Sequence, residues 1–284
     1  MRMKLIAQLI NFRASNTVSV KKLKMTPHPI PKYLSRPALY FLALVLVFTL
    51  FAPAPFAIIS PGPVTDLLSK GVKIKGGQEL ETSGKLYSLS VFVNNPDSRP
   101  SGLYVLMAWL DGQTVVLPNE IVYEAGETTK SADKAAKKSM RSSEVTAAVA
   151  AANFLKKVNP NEPLNWKASD IKFAMKKVGG PSAGLAFSLA LLAKLKSPEL
   201  IDGRKIAVTG TINEAGKVGS IGGIDQKLIS AKAEGVTVVV IPRSNCRDIT
   251  VKTNGMQVLA VSSLSQAFHG LLSPDIARKL RCSA

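Results

Sequence analysis

KIAVTGTINEAGKVGSIGGIDQKLISAKAEGVTVVVI, residues 205–241, sets the class of fold. It opens on KIAVTGTI (205–212), whose β-branched content reads as a strand. Asn213 to Gly216 supply a turn, and residues 224–233 read as a helix. VTVVVI (236–241) is nearly all β-branched and closes the stretch as a second strand. Upstream, SAGLAFSLALLAKLKS (182–197) is apolar on most faces, the pattern of a helix buried on several sides. Downstream, 257–261 is a further strand candidate and 265–272 a short closing helix. Strands and helices follow one another without a regular βαβ repeat, which predicts a mixed α+β domain.

Toward the N-terminus the pattern becomes strand-rich. LYSLSVFVN (86–94) and LYVLMAWL (103–110) carry β-branched and aromatic residues, and 113–117 is short and apolar before Pro118. Asn94-Asn95-Pro96-Asp97 marks a turn between the first two. Residues 125–141 are rich in Lys, Ser and Thr and read as a mobile surface segment. A helix is expected from Ser143 through Leu155, then a loop over 159–165 and a strand over 170–178.

The chain of 284 residues has room for one apolar anchor and one domain with a real core. With 46% apolar and 20% charged residues it does not read as disordered. Its net charge of +18 is uneven, because eight basic residues and no acid precede Pro37. No zinc-finger spacing or aromatic-and-basic sheet motif accompanies that charge, so nucleic acid is not the expected partner. Residues 37–59 carry no charge and are long enough to predict a transmembrane helix. The basic leader then places the N-terminus in the cytoplasm and the rest outside. A cleaved signal peptide is the competing reading, with Ala52-Pro53-Ala54 as its small-residue site; the length of the leader favours the anchor. The expected organisation is a leader (1–36), a spanning helix (37–59), a strand-rich extracytoplasmic segment (60–141), the main domain (142–272) and a tail (273–284). Cys246 and Cys282 can form one disulfide in an oxidising compartment or stay independent thiols.

Candidate chemistry centres on Gly179-Gly180-Pro181-Ser182-Ala183-Gly184. Glycines around a proline give a tight turn that a substrate can approach, and Ser182 opens a helix whose unpaired N–H groups favour negative charge. Those features suit a nucleophile, but Ser is also an ordinary helix cap. The base could be His269, near the C-terminal end, or a lysine made neutral by burial. Lys227 sits in such a setting, after Gly222 and Gly223 in VGSIGGIDQKL (218–228).

Ser182 with its flanks, together with TGTINEAGKVGSIGGIDQK (209–227), resembles the proteolytic domain of the Lon family. The resemblance covers residues 143–272, with Lys227 placed 45 positions after Ser182. It implies the ribosomal protein S5 domain 2-like fold, Ser182 as nucleophile, Lys227 as general base, and Thr209 as a hydroxyl that helps hold that lysine. Closer still is the resemblance to membrane-anchored, ATP-independent Lon-like proteases of bacteria, carried by Pro61-Gly62-Pro63-Val64, Ala108-Trp109-Leu110-Asp111 and Pro242-Arg243-Ser244-Asn245-Cys246. These imply protein or peptide substrates, homo-oligomeric assembly, and no cofactor or metal. No Walker A sequence occurs, and only a short loop separates Leu155 from Asp170, where many relatives insert a PDZ domain. Two rival readings remain. GGPSAG could be a phosphate loop of a small-molecule kinase, or the chain could be a non-catalytic envelope scaffold or binding protein that retains the protease fold.

Overall fold

The computed structural model describes residues 35–75, 79–164, 166–174 and 179–282. Most of the basic leader therefore lies outside the described residues, as do Asn165 and the 175–178 part of the strand expected over 170–178. Two compact units divide the chain, one ending at Phe48 and one beginning at Thr49.

The first unit contains most of helix α1 (Arg36–Phe51). α1 has 16 residues, buries none of them, and carries no charge after Arg36. At 1.5 Å per residue it is about 24 Å long, short of the roughly 30 Å of a hydrocarbon core. The spanning helix expected over 37–59 is thus not formed as such. Proline at 53 and 55 stops the helix, and the remaining residues enter a strand. Among the described residues no helix is long and apolar enough to cross a membrane.

In the second unit the elements run β1 (Phe56–Asp66), β2 (Val72–Ile74), β3 (Lys85–Val93), α2 (Gly102–Leu110), β4 (Val115–Pro118), α3 (Asn119–Val122), α4 (Thr129–Val158), β5 (Ile171–Phe173), α5 (Gly184–Leu195), β6 (Lys205–Val208), β7 (Thr211–Ile212), β8 (Val218–Gly219), α6 (Ile224–Ala233), β9 (Val238–Pro242), β10 (Gln257–Val261), α7 (Leu264–Leu272) and α8 (Pro274–Lys279). One six-stranded sheet, in the order β10-β9-β6-β3-β1-β4, organises them. β3, β6, β9 and β10 are parallel, while β1 pairs antiparallel with β3 and β4. Alternation along the strands splits the core in two. Leu86, Ile206, Val208, Val240 and Leu259 face α5 and α4; Tyr87, Leu89, Ala207, Val239 and Ile241 face α6. β9 is buried throughout, which is why its sequence shows no polar alternation.

Two readings of single elements are corrected. Residues 103–110 form helix α2, not a strand: Ser101 caps it by accepting from Tyr104 N–H, and Leu, Met and Ala favour the helix. Residues 125–141 are largely the first half of α4, whose Thr128–Ser131 capping box starts a 30-residue helix well before Ser143. Positions 141 and 142 both lie within that helix, and the residues before it supply β1, β3 and β4 to the common sheet. The tail is also folded in, with Ala277 and Leu280 buried and Cys282 disulfide-bonded to Cys246. α5 fulfils its pattern, and its one buried cation, Lys194, is paired with Glu79 at 2.8 Å.

Candidate active site

Gly180 has φ of 90°, a left-handed conformation in which glycine is unstrained, and its N–H donates to Ala136 O of α4. Gly179 passes so close to α4 that a Cβ would lie 2.6 Å from the Ala136 methyl. Pro181, Ser182 and Ala183 then make one 3₁₀ turn before α5. Ser143 of α4 donates its hydroxyl to Pro181 O at 3.2 Å, and a Cβ on Gly184 would come 2.8 Å from that same hydroxyl. The turn is therefore braced by α4 on the outside.

On the inside, the Ser182 carbonyl accepts from Gly210 N–H at 2.8 Å and from the Thr209 hydroxyl at 3.3 Å. Thr209 is fully buried and directly follows the last residue of β6. The resemblance implies that this hydroxyl helps hold Lys227; the hydrogen bond it donates in the structure goes to the Ser182 carbonyl. Thr209→Val should cost about 1 kcal/mol in urea denaturation and lower hydrolysis only a few-fold, because the Gly210 bond remains. A loss beyond about 100-fold would show that the hydroxyl meets the reacting groups.

Lys227 lies in the first turns of α6, on the opposite face of the sheet from α5. Ser230 donates to Gly62 O at 2.8 Å, and a Cβ on Gly223 would touch Val91 and Ile59. These contacts set the lysine over the part of β1 and β3 around Gly62 and Val91. β3 pairs with β6 only as far as Ser88–Val208, so its last five residues continue past the end of β6. Ser182 stands in the turn before α5 on one face of the sheet, and Lys227 lies in α6 on the other.

Lys227 is 3% exposed and, among the described residues, its side chain makes no hydrogen bond or ion pair, while its backbone N–H donates to Gly223 O. Burial pushes its amine down from 10.5 to about 8. The glycine loop before it is clamped by Asn245, which accepts from Ile221 N–H and donates to Ile221 O. Asp225 holds the following segment by accepting from Thr250 N–H, and it suits the positive helix start. Gln226 donates to Gln113 O at 3.2 Å, tying α6 to the end of the α2 region.

Sequence reasoning did not find Ser143, Gln226 or Ser230, whose roles depend on contacts remote in sequence. Asn245 was legible only as part of a motif. His269 is exposed at the end of α7 with its ring edge-on to Phe268, and among the described residues no hydrogen bond links it to Ser182. Nor do the described residues bring together a cluster of His, Cys, Asp and Glu fit for a metal.

A profile of the Lon protease (S16) C-terminal proteolytic domain matches residues 102–273, more than half of the chain. The chain is 35% identical over 98 residues to a Lon protease of Lachnoclostridium phytofermentans, covering 33% of this chain and 12% of that protein. It is 33% identical over 105 residues to the archaeal Lon protease of Methanocaldococcus jannaschii, covering 36% of this chain and 16% of that one. A Lon protease of Haemophilus influenzae is 39% identical over 87 residues, 30% of this chain and 10% of its own length. The match thus spans only a small part of each of these relatives.

Proposed function

Because the chain belongs to the Lon protease (S16) C-terminal proteolytic domain family, a family of serine proteases, we propose that it is a serine endopeptidase using Ser182 and Lys227. The observation that carries this is a buried lysine whose amine has no partner among the described residues. Such a group is costly to fold and is suited to one task, accepting a proton near neutrality.

In this reading the neutral Lys227 amine takes the Ser182 hydroxyl proton as Oγ attacks a peptide carbonyl. N–H groups of the turn before α5 stabilise the oxyanion. The C–N bond then breaks, Lys227 returns the proton to the departing amine, and water releases the acyl group from Ser182. None of these steps consumes a nucleotide. Hydrolysis of peptides is therefore proposed to run without ATP.

The domain is further proposed to work outside the cytoplasm, held to a membrane through its uncharged N-terminal run. The Cys246–Cys282 disulfide supports this, since such bonds persist in oxidising compartments. A catalytically silent scaffold is the alternative, and a serine-directed acylating probe separates the two. Labelling should fall on Ser182 and rise roughly tenfold between pH 7 and 9, as Lys227 loses its proton around 8. Absence of labelling at any pH in the folded protein would favour the scaffold. Labelling independent of pH in this range would remove Lys227 from the mechanism.

A further inference from the structure

We propose that helix α2 lies in the surface layer of a phospholipid bilayer, beside the point where the N-terminal apolar run enters the domain. The proposal rests on the membrane association put forward above and adds a second contact to it.

α2 reads GLYVLMAWL and contains no charged residue. Ala108 is its one buried residue, while Leu103, Tyr104, Leu106, Met107, Trp109 and Leu110 are exposed, Trp109 by 68%. An uncharged apolar helix displayed to water in this way marks a surface that is covered in use. Its position supports lipid as the cover. Gly102 N–H donates to Ala52 O, Pro53 bridges to Ser101, and a Cβ on Gly102 would lie 2.2 Å from Thr49 O. The start of α2 is thereby fixed to the residues that end α1, itself apolar and exposed. A membrane that takes up the chain before Ala52 will meet α2 as well.

The chemistry of the face agrees. At the start of α2, Gly102 N–H donates to Ala52 O and Tyr104 N–H to the Ser101 hydroxyl, which lowers the number of open backbone donors that would meet a hydrocarbon boundary. The polar atoms on the exposed side chains of α2 are the Tyr104 hydroxyl and the Trp109 indole N–H, both of which belong at the headgroup level. A protein partner would be expected to find more groups to bond, about one per 100–200 Å² of interface. Because Gln113, just past α2, accepts from Gln226 beside Lys227, the bilayer would also orient the candidate active site toward chains presented at its surface.

The test uses the full chain with Trp166→Phe, which leaves Trp109 as the sole tryptophan. The protein is reconstituted into phosphatidylcholine–phosphatidylglycerol vesicles whose acyl chains carry bromine at a shallow position. It should float with the vesicles, and Trp109 emission should be quenched about twofold or more relative to unbrominated lipid. Flotation with unquenched Trp109 would overturn the inference while leaving membrane association standing. Failure to float would remove the membrane reading and this one with it. Unquenched emission that shifts to the blue with rising protein concentration would identify a second copy of the chain as the cover instead.

Discussion

Ser182→Ala and Lys227→Met should each lower peptide hydrolysis by about 10³-fold or more, and the double variant should be little worse than either. The two groups act on one proton, so removing either one removes the same step. The variants part company in stability. Below pH 8 the amine is protonated in both the folded and unfolded chain, and the fold holds that charge in a buried site with no partner among the described residues. The depression from 10.5 to about 8 corresponds to a penalty on the order of 3 kcal/mol. Between pH 8 and 10.5 the folded chain has released the proton while the unfolded chain still binds it, so stability rises with pH across that window. Lys227→Met should remove this dependence and raise stability at pH 7 by up to about 3 kcal/mol, whereas Ser182→Ala should leave it in place. Thermal unfolding of the three proteins at pH 7 and pH 10 reads this directly. A Lys227→Met protein less stable than the parent at pH 7 would mean that the amine is bonded in the native state.

Gly62→Ala should be strongly destabilising. The residue sits where the pairing of β1 with β3 shifts register between Pro61 and Val64. A Cβ there would lie 2.7 Å from the carbonyl carbon and oxygen of Ser90 and from Val91 Cα. Those are backbone atoms of a neighbouring strand and cannot rotate aside, so β1 must lift from β3 at a cost of about 3 kcal/mol. The same displacement moves Gly62 O, the acceptor for Ser230 on the helix that carries Lys227. Activity should fall even in protein that remains folded, with the acidic limb of the pH profile shifted as the lysine's burial changes. Gly222→Ala is the control: nothing lies within 4 Å of its Cβ position, and stability should change by less than about 1 kcal/mol. Urea denaturation with parallel pH–rate profiles distinguishes the two; equal tolerance of both alanines would refute the close approach at Gly62.

The elements read correctly from sequence were those whose pattern has one physical cause. β9 is a run of β-branched residues because it is buried on both faces, and α5 is apolar all round because it is packed on all sides. The misread elements had patterns with two solutions. LYVLMAWL is as compatible with an exposed apolar helix as with a strand, and its local cap at Ser101 decided the matter. The Lys- and Ser-rich half of α4 has helix-forming composition without an apolar stripe, so it appeared to be a loop. An uncharged run of 23 residues, 37–59, suggested one spanning helix, but its end is captured by pairing with β3 and β4.

By itself the sequence determined the mixed α+β class, the membership signalled by the motifs around Ser182 and Lys227, and the identity of the two groups proposed for the chemistry. Each rests on residues close enough in the chain to impose local conformation: a glycine-proline turn before a helix, a glycine loop before another. Only the tertiary structure decided that the two helices pack on opposite faces of the sheet, and that Thr209 donates to the Ser182 carbonyl. It also decided that Lys227 is buried, with no partner for its amine among the described residues. Those outcomes depend on contacts between residues tens to hundreds of positions apart. Burial, which lowers the lysine's proton affinity, is a property of the packed core and has no local signature in the chain.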